Sequence, residues 1–310
     1  MEAEGMNLLI TGASGQLGQN LTPIISPLFS HVYELSRHDA PSFDGFSLIK
    51  ADLGSKDLEK DIDAIIQDDN IDLVLHMAAF VNSDADIDDW DLHFRYNVTG
   101  THRLLNWSTK KKVGAFYFVS SYIHLNFDGQ PFTIQALFSP TTPYGAAKLV
   151  NELEIAGVCM RSKIPYAIFR LSSFYGPNPT QVWTVLPIMI RSALLKGSIE
   201  IYGKGSRTMN FIHTNDIASA IAKAFGKRAA GIFHLASNRS VSMLELGKFI
   251  KGYLPETKIE IDRRPDPQEG KRFEVDISDT IRQLDWEPLT DISQGVSDAI
   301  LSVRRALSIE

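Results

Sequence analysis

The sequence predicts an α/β fold, a doubly wound parallel sheet followed by a smaller mixed unit, and three observations carry that reading. Short apolar runs alternate with amphipathic stretches over the first half of the chain, the order that builds a parallel sheet covered by helices on both faces. The runs are continuously apolar, as in Leu8-Leu9-Ile10 and Leu73-Val74-Leu75, which is the pattern of strands buried on both sides. The first run ends directly on the series Gly12, Gly15 and Gly18, and a helix-forming stretch follows.

In chain order, strands are expected at 7–11, 31–35, 71–76, 115–120 and 164–170, with helices near 16–28, 54–68, 88–109 and 144–162. A further short strand precedes Asp52. The run ending at His76 is followed by the small residues Ala78 and Ala79, which leave room for a ligand at the carboxyl end of the sheet. After Gly176-Pro177-Asn178-Pro179 the alternation loosens, and Pro187, Pro265, Pro267 and Pro288 punctuate shorter elements. Residues 1–172 are therefore read as a nucleotide-binding unit of Rossmann type. The segment 211–235, with the helix Ile217–Phe225 and the buried strand Gly231–Leu235, returns to it, while 173–210 and 236–310 form the second unit.

The glycines define the first chemistry. A loop between a buried strand and a helix needs glycine for its tight turn, for close approach of backbone to a pyrophosphate and for close helix–strand packing, and the helix aims its first amides at the phosphates. Gly12, Ser14, Gly15, Gln16, Leu17 and Gly18 form this candidate phosphate loop. At the end of the second strand, Ser36 and Arg37 supply a hydroxyl and a guanidinium fork suited to a ribose 2′-phosphate, so the expected cofactor is NADP or NAD, with NADP favoured. Glu34, the nearby carboxylate that would favour NAD, falls two residues too early.

Composition sets the boundaries. The chain has 310 residues, 44 % of them hydrophobic, enough for a large core and two units, and its net charge of −6 argues against nucleic acid or an anionic membrane as partner. Lys110-Lys111-Lys112 reads as the solvated end of a helix. The single cysteine, Cys159, excludes an internal disulfide and a cysteine metal cluster and fits a cytoplasmic location. The first residues lack the basic start and apolar centre of a signal peptide, and no apolar run reaches the roughly 20 residues that span a bilayer. Asp84-x-Asp86-x-Asp88-Asp89 lacks the glycine and the final glutamate of a calcium loop and reads as a solvated acidic loop, and the histidines show no metal-ligand spacing.

Tyr144 and Lys148, four apart at the start of a helix that follows Pro143, share one face. A phenol titrates near pH 10, and a neighbouring ammonium together with an oxidised nicotinamide would favour phenolate at working pH. Lys148 would also hold the nicotinamide ribose. Ser120 and Ser121 end the strand at 115–120, and Ser121 is the candidate for polarising the substrate oxygen.

The spacing Gly-x-x-Gly-x-x-Gly after Thr11, with Tyr144-x-x-x-Lys148 and Ser121, resembles the extended short-chain dehydrogenase/reductase class and its NAD-dependent epimerase/dehydratase family over nearly the whole chain. The version Gly12-Ala13-Ser14-Gly15-Gln16-Leu17-Gly18 and the downstream Asn126-Phe127-Asp128-Gly129 look most like the sugar-nucleotide 4-keto reductases typified by dTDP-4-dehydrorhamnose reductase. The resemblance implies that Asp52 and Leu53 contact adenine, that Asn97 in Asn97-Val98-Thr99-Gly100-Thr101 orders the backbone around the cofactor, and that Val81, Ser121 and Ser173 face the substrate. Ser173 stands where the family carries Asn in Arg170-x-x-Ser-x-Tyr175-Gly-Pro. Dehydratases carry an Asp-Glu pair directly after the active-site hydroxyl, and Tyr122-Ile123 occupy that place here, against dehydration. Met209 fills the slot that holds Arg in many epimerases, so Arg207 and Arg264 are assigned to the diphosphate of a nucleotide sugar.

The reading is an NAD(P)-dependent oxidoreductase that reduces a 4-keto sugar nucleotide. Ile201-Tyr202-Gly203 and Phe211-Ile212-His213 look epimerase-like, which makes a nucleotide-sugar 4-epimerase the alternative. A dinucleotide-binding regulatory subunit without turnover is the rival from another class, opposed by the intact Ser121, Tyr144 and Lys148 set. Expected partners are a small-molecule nucleotide sugar and a second copy of the chain.

Overall fold

The structure is a computed structural model and describes residues 5–81, 90–125, 131–178 and 184–309. The acidic stretch 84–89 and the segment Asn126–Gly129 lie outside the described residues, as does Pro179. Seven strands form one parallel sheet: β1 (Asn7–Thr11), β2 (His31–Ser36), β3 (Ser47–Lys50), β4 (Leu73–His76), β5 (Phe116–Ser121), β6 (Tyr166–Leu171) and β10 (Gly231–Leu235). Their order is β3-β2-β1-β4-β5-β6-β10, so the direction of winding reverses between β1 and β4 and opens a crevice at their carboxyl ends. The fold is a Rossmann-type doubly wound sheet.

Side chains alternate across this sheet into two separate cores, which is why the strands read as unbroken apolar runs. Leu8 and Ile10 of β1, with Tyr117 and Val119 of β5, enter the core that also takes helix α1 (Gln16–Ile25) and helix α7 (Thr214–Gly226). Leu9, Phe116 and Phe118 enter the opposite core, against α2 (Leu58–Ile66), α4 (Gly100–Lys111) and α5 (Pro143–Ser162).

The helix expected over 88–109 is not uniform. It is built from α3 (Trp90–Leu92), a π-helical segment at His93–Thr99, and α4. The wider turn is tied to α5, where Asn151 Nδ2 donates to the carbonyl of Asn97 at 3.0 Å. The apolar pattern on either side of the segment is helical, so the sequence does not reveal it.

The second half adds β7 (Ser173–Tyr175), α6 (Val185–Lys196), β8 (Ser198–Tyr202), β9 (Thr208–His213), β11 (Ser240–Ser242), α8 (Met243–Tyr253), β12 (Lys258–Asp262), α9 (Ser278–Leu284) and α10 (Ile292–Leu307). The expected return to the main sheet at residue 211 starts three residues later. Phe211-Ile212-His213 pairs with β7, and the preceding Thr208–Asn210 of the same strand pairs with β11, in a separate three-stranded sheet, so that Ile212 packs into the first core but only β10 rejoins the main sheet, with α7 covering it. Strands β8 and β12 form a two-stranded sheet, and a third core gathers Leu186, Ile190, Ile199, Phe211, Leu246 and Val296.

Candidate active site

The carboxyl ends of β1, β2, β4 and β5 open into a cavity of about 1090 Å³ whose far wall comes from residues 173–174, 184, 207–209, 268 and 271–273. Gly12, at φ +77°, sits so close to the end of β4 that an added methyl would lie 2.6 Å from Ala78 N. At Gly18 a methyl would lie 2.6 Å from Ala13 Cα, which no helix–strand packing accommodates. Gly15 is different: only Gly12 O, at 3.3 Å, would crowd it. No side chain caps α1, whose first-turn amides open on the cavity beside Ser14, Gln16 and Leu17. These features fit a dinucleotide pyrophosphate.

Around that cradle the structure brings together Ser36, Arg37, Asp52, Leu53, Ala78, Ala79 and Val81, all lining the cavity. Glu34 does not reach it, because it is fully buried and accepts hydrogen bonds from Ser42 N (2.6 Å) and Ser42 Oγ (2.5 Å). Arg37 follows the last residue of β2 and lies 5.5 Å from the ring of Tyr96. Asp52 turns back on its own loop, accepting from Gly54 N at 2.8 Å. Thr11 Oγ1 accepts from Ala78 N (3.2 Å) and shares a proton with His76 Nδ1 (2.7 Å), whose other nitrogen meets Thr101 Oγ1. Burial pushes His76 down to about 3, so this ring is a neutral strut.

Asn97 is not among the residues lining the cavity. Its side chain instead clamps the main chain of Phe80, Oδ1 accepting from Phe80 N at 2.6 Å and Nδ2 donating to Phe80 O at 2.9 Å. It shapes the wall from behind.

Ser121, Tyr144 and Lys148 line the cavity together. Thr142 caps α5 by accepting from Gly145 N at 3.0 Å, and Pro143 opens the first turn, so Tyr144 and Lys148 project from successive turns onto the end of β5. Lys148 Nζ donates to Val119 O at 2.7 Å and lies 5.6 Å from the Tyr144 ring. Burial pulls the Lys148 ammonium down to about 7, with the charge of Glu152 opposing. Burial also pushes the Tyr144 phenol well above its ordinary value. The expected phenolate depends on the ammonium and an oxidised nicotinamide together, and burial by itself favours the neutral phenol.

Ser120 lines the cavity as well and is tied to a buried carboxylate behind it. Its hydroxyl donates to Glu152 Oε1 at 2.5 Å, and Glu152, one turn beyond Lys148, also receives Arg170 Nη2 at 2.7 Å and lies 3.2 Å from His124 Nε2. Burial alone would raise the Glu152 carboxyl, but the hydrogen bonds and charges of His124 and Arg170 prevail and hold it at about 2. Sequence reading missed this buried group, although Glu152 continues the four-residue spacing of Tyr144 and Lys148.

At the substrate end, Ser173 and Arg207 line the cavity. Arg207 is held by Asp266 (3.1 Å) and Gln268 (2.9 Å). Arg264 does not reach the cavity, a correction to its assignment. It lies at the exposed end of β12, bonded to Asp262 (2.8 Å) and Glu200 (2.9 Å), because those two carboxylates flank it on the two-stranded sheet. Lys271 and Arg272 stand at the cavity instead, brought beside Arg207 by the bond from Thr208 N to Lys271 O at 3.0 Å. Gly270, at φ +75°, turns the chain just before them and was the signal available in the sequence.

The family described as the NAD dependent epimerase/dehydratase family matches residues 8–236. The chain belongs to that family and is an enzyme of the extended short-chain dehydrogenase/reductase class. It is 27 % identical to a putative UDP-glucose 4-epimerase of Methanocaldococcus jannaschii, over 94 % of this chain and 97 % of that one. It is also 27 % identical to human dTDP-D-glucose 4,6-dehydratase over 76 % of this chain and 69 % of that protein. Among solved structures, UDP-glucose 4-epimerase of Thermotoga maritima with UDP-glucose matches at a TM-score of 0.83 and 20 % identity, covering 97 % of this chain and 100 % of that one. UDP-glucuronic acid 4-epimerase of Bacillus cereus with NAD also matches at 0.83, with 21 % identity, covering 97 % and 99 %. Among the described residues no helix is long and apolar enough to cross a membrane.

Proposed function

We propose that this enzyme is a nucleotide-sugar 4-epimerase that retains its dinucleotide through the catalytic cycle. The observation that carries the reading is the convergence of Ser121, Tyr144 and Lys148 on one cavity with the glycine cradle, while Tyr122 and Ile123 stand where a dehydratase needs an acid and a base. The end-to-end likeness to a putative UDP-glucose 4-epimerase supports it. A bound nicotinamide supplies a hydride acceptor and donor. Ser121 would hold the reacting sugar oxygen, and Tyr144 Oη would take up the hydroxyl proton and later return it to that oxygen. Lys148 would hold the nicotinamide ribose, and its charge would favour the phenolate.

A second reading, NADP-dependent reduction of a 4-keto sugar nucleotide, is favoured by Ser36 and Arg37 at the end of β2, with the Glu34 carboxylate held by Ser42 away from the cavity. Burial also favours the protonated Tyr144, the form that donates to a carbonyl oxygen. The deciding measurement is mass spectrometry of dinucleotide released from the purified protein, together with turnover of UDP-glucose without added cofactor. Tightly held NAD and cofactor-free interconversion support epimerisation. Loosely held NADPH consumed one-for-one by a 4-keto sugar nucleotide replaces that reading with reduction. If neither reaction occurs with uridine or thymidine diphosphate sugars, the nucleotide-sugar reading fails.

The proposed setting is the cytoplasm, and the proposed macromolecular partner is a second copy of the chain. Val150, Leu153 and Met160 form an exposed apolar stripe at helical spacing on α5 that supports this.

A further inference from the structure

The π-helical segment His93–Thr99 lies between the cofactor wall and the catalytic helix, and π-turns inside α-helices occur most often at functional sites. Its Asn97 side chain has no freedom of assignment. Phe80 N is a donor and Phe80 O an acceptor, so the atom 2.6 Å from the first is Oδ1 and the atom 2.9 Å from the second is Nδ2. One Nδ2 proton is thus committed to Phe80 O. The other points at His93 Nδ1, 3.1 Å away in the buried interior. Two donors cannot face each other there, so His93 Nδ1 carries a lone pair, and the ring is the neutral tautomer with its proton on Nε2.

That ring touches both sides of the site. It packs edge-on against Phe80 with centroids 5.0 Å apart, and it lies 6.1 Å from the ring of Tyr144. Phe80 in turn precedes Val81 at the cavity, and Asn97 O is tied to Asn151, three residues beyond Lys148 on α5. We infer that His93, fixed as a neutral imidazole by Asn97, is a positioning residue that sets Tyr144 against the Phe80–Val81 wall. The inference deepens the proposed function and rests on Tyr144 being the proton-transfer group. A charged or Nδ1-protonated His93 would push the Asn97 amide away and release Phe80 on one side and Tyr144 on the other.

His93→Phe keeps an aromatic ring between Phe80 and Tyr144 but deletes the acceptor, whereas His93→Gln supplies an acceptor without the ring. With UDP-glucose as probe, His93→Phe is expected to lower kcat about ten- to a hundredfold, the scale of a small misplacement of a catalytic group, while KM and dinucleotide affinity stay within about twofold. His93→Gln is expected to recover most of that loss. Two spectra decide the matter independently of turnover. With histidine labelled in ¹⁵N, the resonance lost on substitution of His93 should report the Nε2–H tautomer. With tyrosine labelled at Cζ, the resonance lost in Tyr144→Phe should shift in His93→Phe and return in His93→Gln. A proton on Nδ1, or a Tyr144 resonance indifferent to His93→Phe, overturns the inference. Full turnover in Tyr144→Phe with both spectra as expected would instead count against the proposed function and leave the positioning of Tyr144 intact.

Discussion

Burial sets opposite demands on the two side chains of α5 that face the cavity. Lys148 titrates at about 7 in the folded protein against an ordinary 10.5, so between those values the unfolded chain binds more protons and stability rises with pH. Its contribution is complete above the unfolded value and is lost as pH falls toward 7. Measured as the difference between the parent apoprotein and Lys148→Met in urea unfolding, this should amount to about 1.4 kcal/mol per pH unit in that window. A difference that does not change with pH would mean that the ammonium is solvated. Tyr144→Phe should abolish hydride transfer and leave dinucleotide affinity nearly unchanged, checked by single-turnover absorbance and calorimetry. Arg37→Ala should cost NADP(H) affinity about 1.5–3 kcal/mol, the scale of a charged hydrogen bond, and spare NAD(H), and equal losses for both would remove Arg37 from the 2′-phosphate. The four-residue spacing of Tyr144 and Lys148 was legible because helical geometry converts it into a shared face. The Glu152, Arg170 and His124 group was not, because its members come from a helix, a strand and a loop that only the finished sheet brings together.

The phosphate loop separates glycines that serve packing from one that serves the ligand. A methyl at Gly18 meets Gly12 and Ala13, and at Gly12 it meets Ala78 in a backbone conformation that L residues rarely adopt, so either alanine variant must displace the loop after β1 or the segment after β4. Gly18→Ala should therefore lose about 1–3 kcal/mol of stability by thermal or urea unfolding, the cost of overpacking. Gly15→Ala should unfold as the parent does and weaken the dinucleotide instead, since its open side faces the cavity. If Gly15→Ala binds the dinucleotide as tightly as the parent, the pyrophosphate lies elsewhere on the loop. Strand and loop were legible as elements because each residue acts on its immediate neighbours. The π-turn at His93–Thr99 was hidden because the apolar pattern on either side of it is helical. The place of Phe211–His213 was hidden for a related reason: an apolar strand does not declare which of two sheets it joins.

At the scale of the whole molecule, the cavity is closed by segments far apart in the chain, and the cations on its far wall come from the second half. The protein carries a net charge of −6, so a diphosphate needs local positive charge to enter, and Arg207, Lys271 and Arg272 supply it where residues 207–209 and 271–273 meet. Arg264 lies on the surface with Asp262 and Glu200, so Arg264→Ala should leave the KM for UDP-glucose unchanged. Arg207→Ala should raise that KM about ten- to a hundredfold, equivalent to 1.5–3 kcal/mol for a lost charged hydrogen bond. Part of the effect is indirect. Asp266, nearly buried and 3.1 Å from Arg207 Nε, would be left uncompensated beside the incoming phosphates and would repel them. Adding Asp266→Ala to Arg207→Ala should therefore recover a portion of the lost affinity, read by calorimetry with dinucleotide present. If the double variant binds no better than Arg207→Ala, the arginine acts only by direct contact. If Arg207→Ala binds UDP-glucose as the parent does, the second half of the chain does not hold a diphosphate, and a small uncharged carbonyl compound becomes the better substrate.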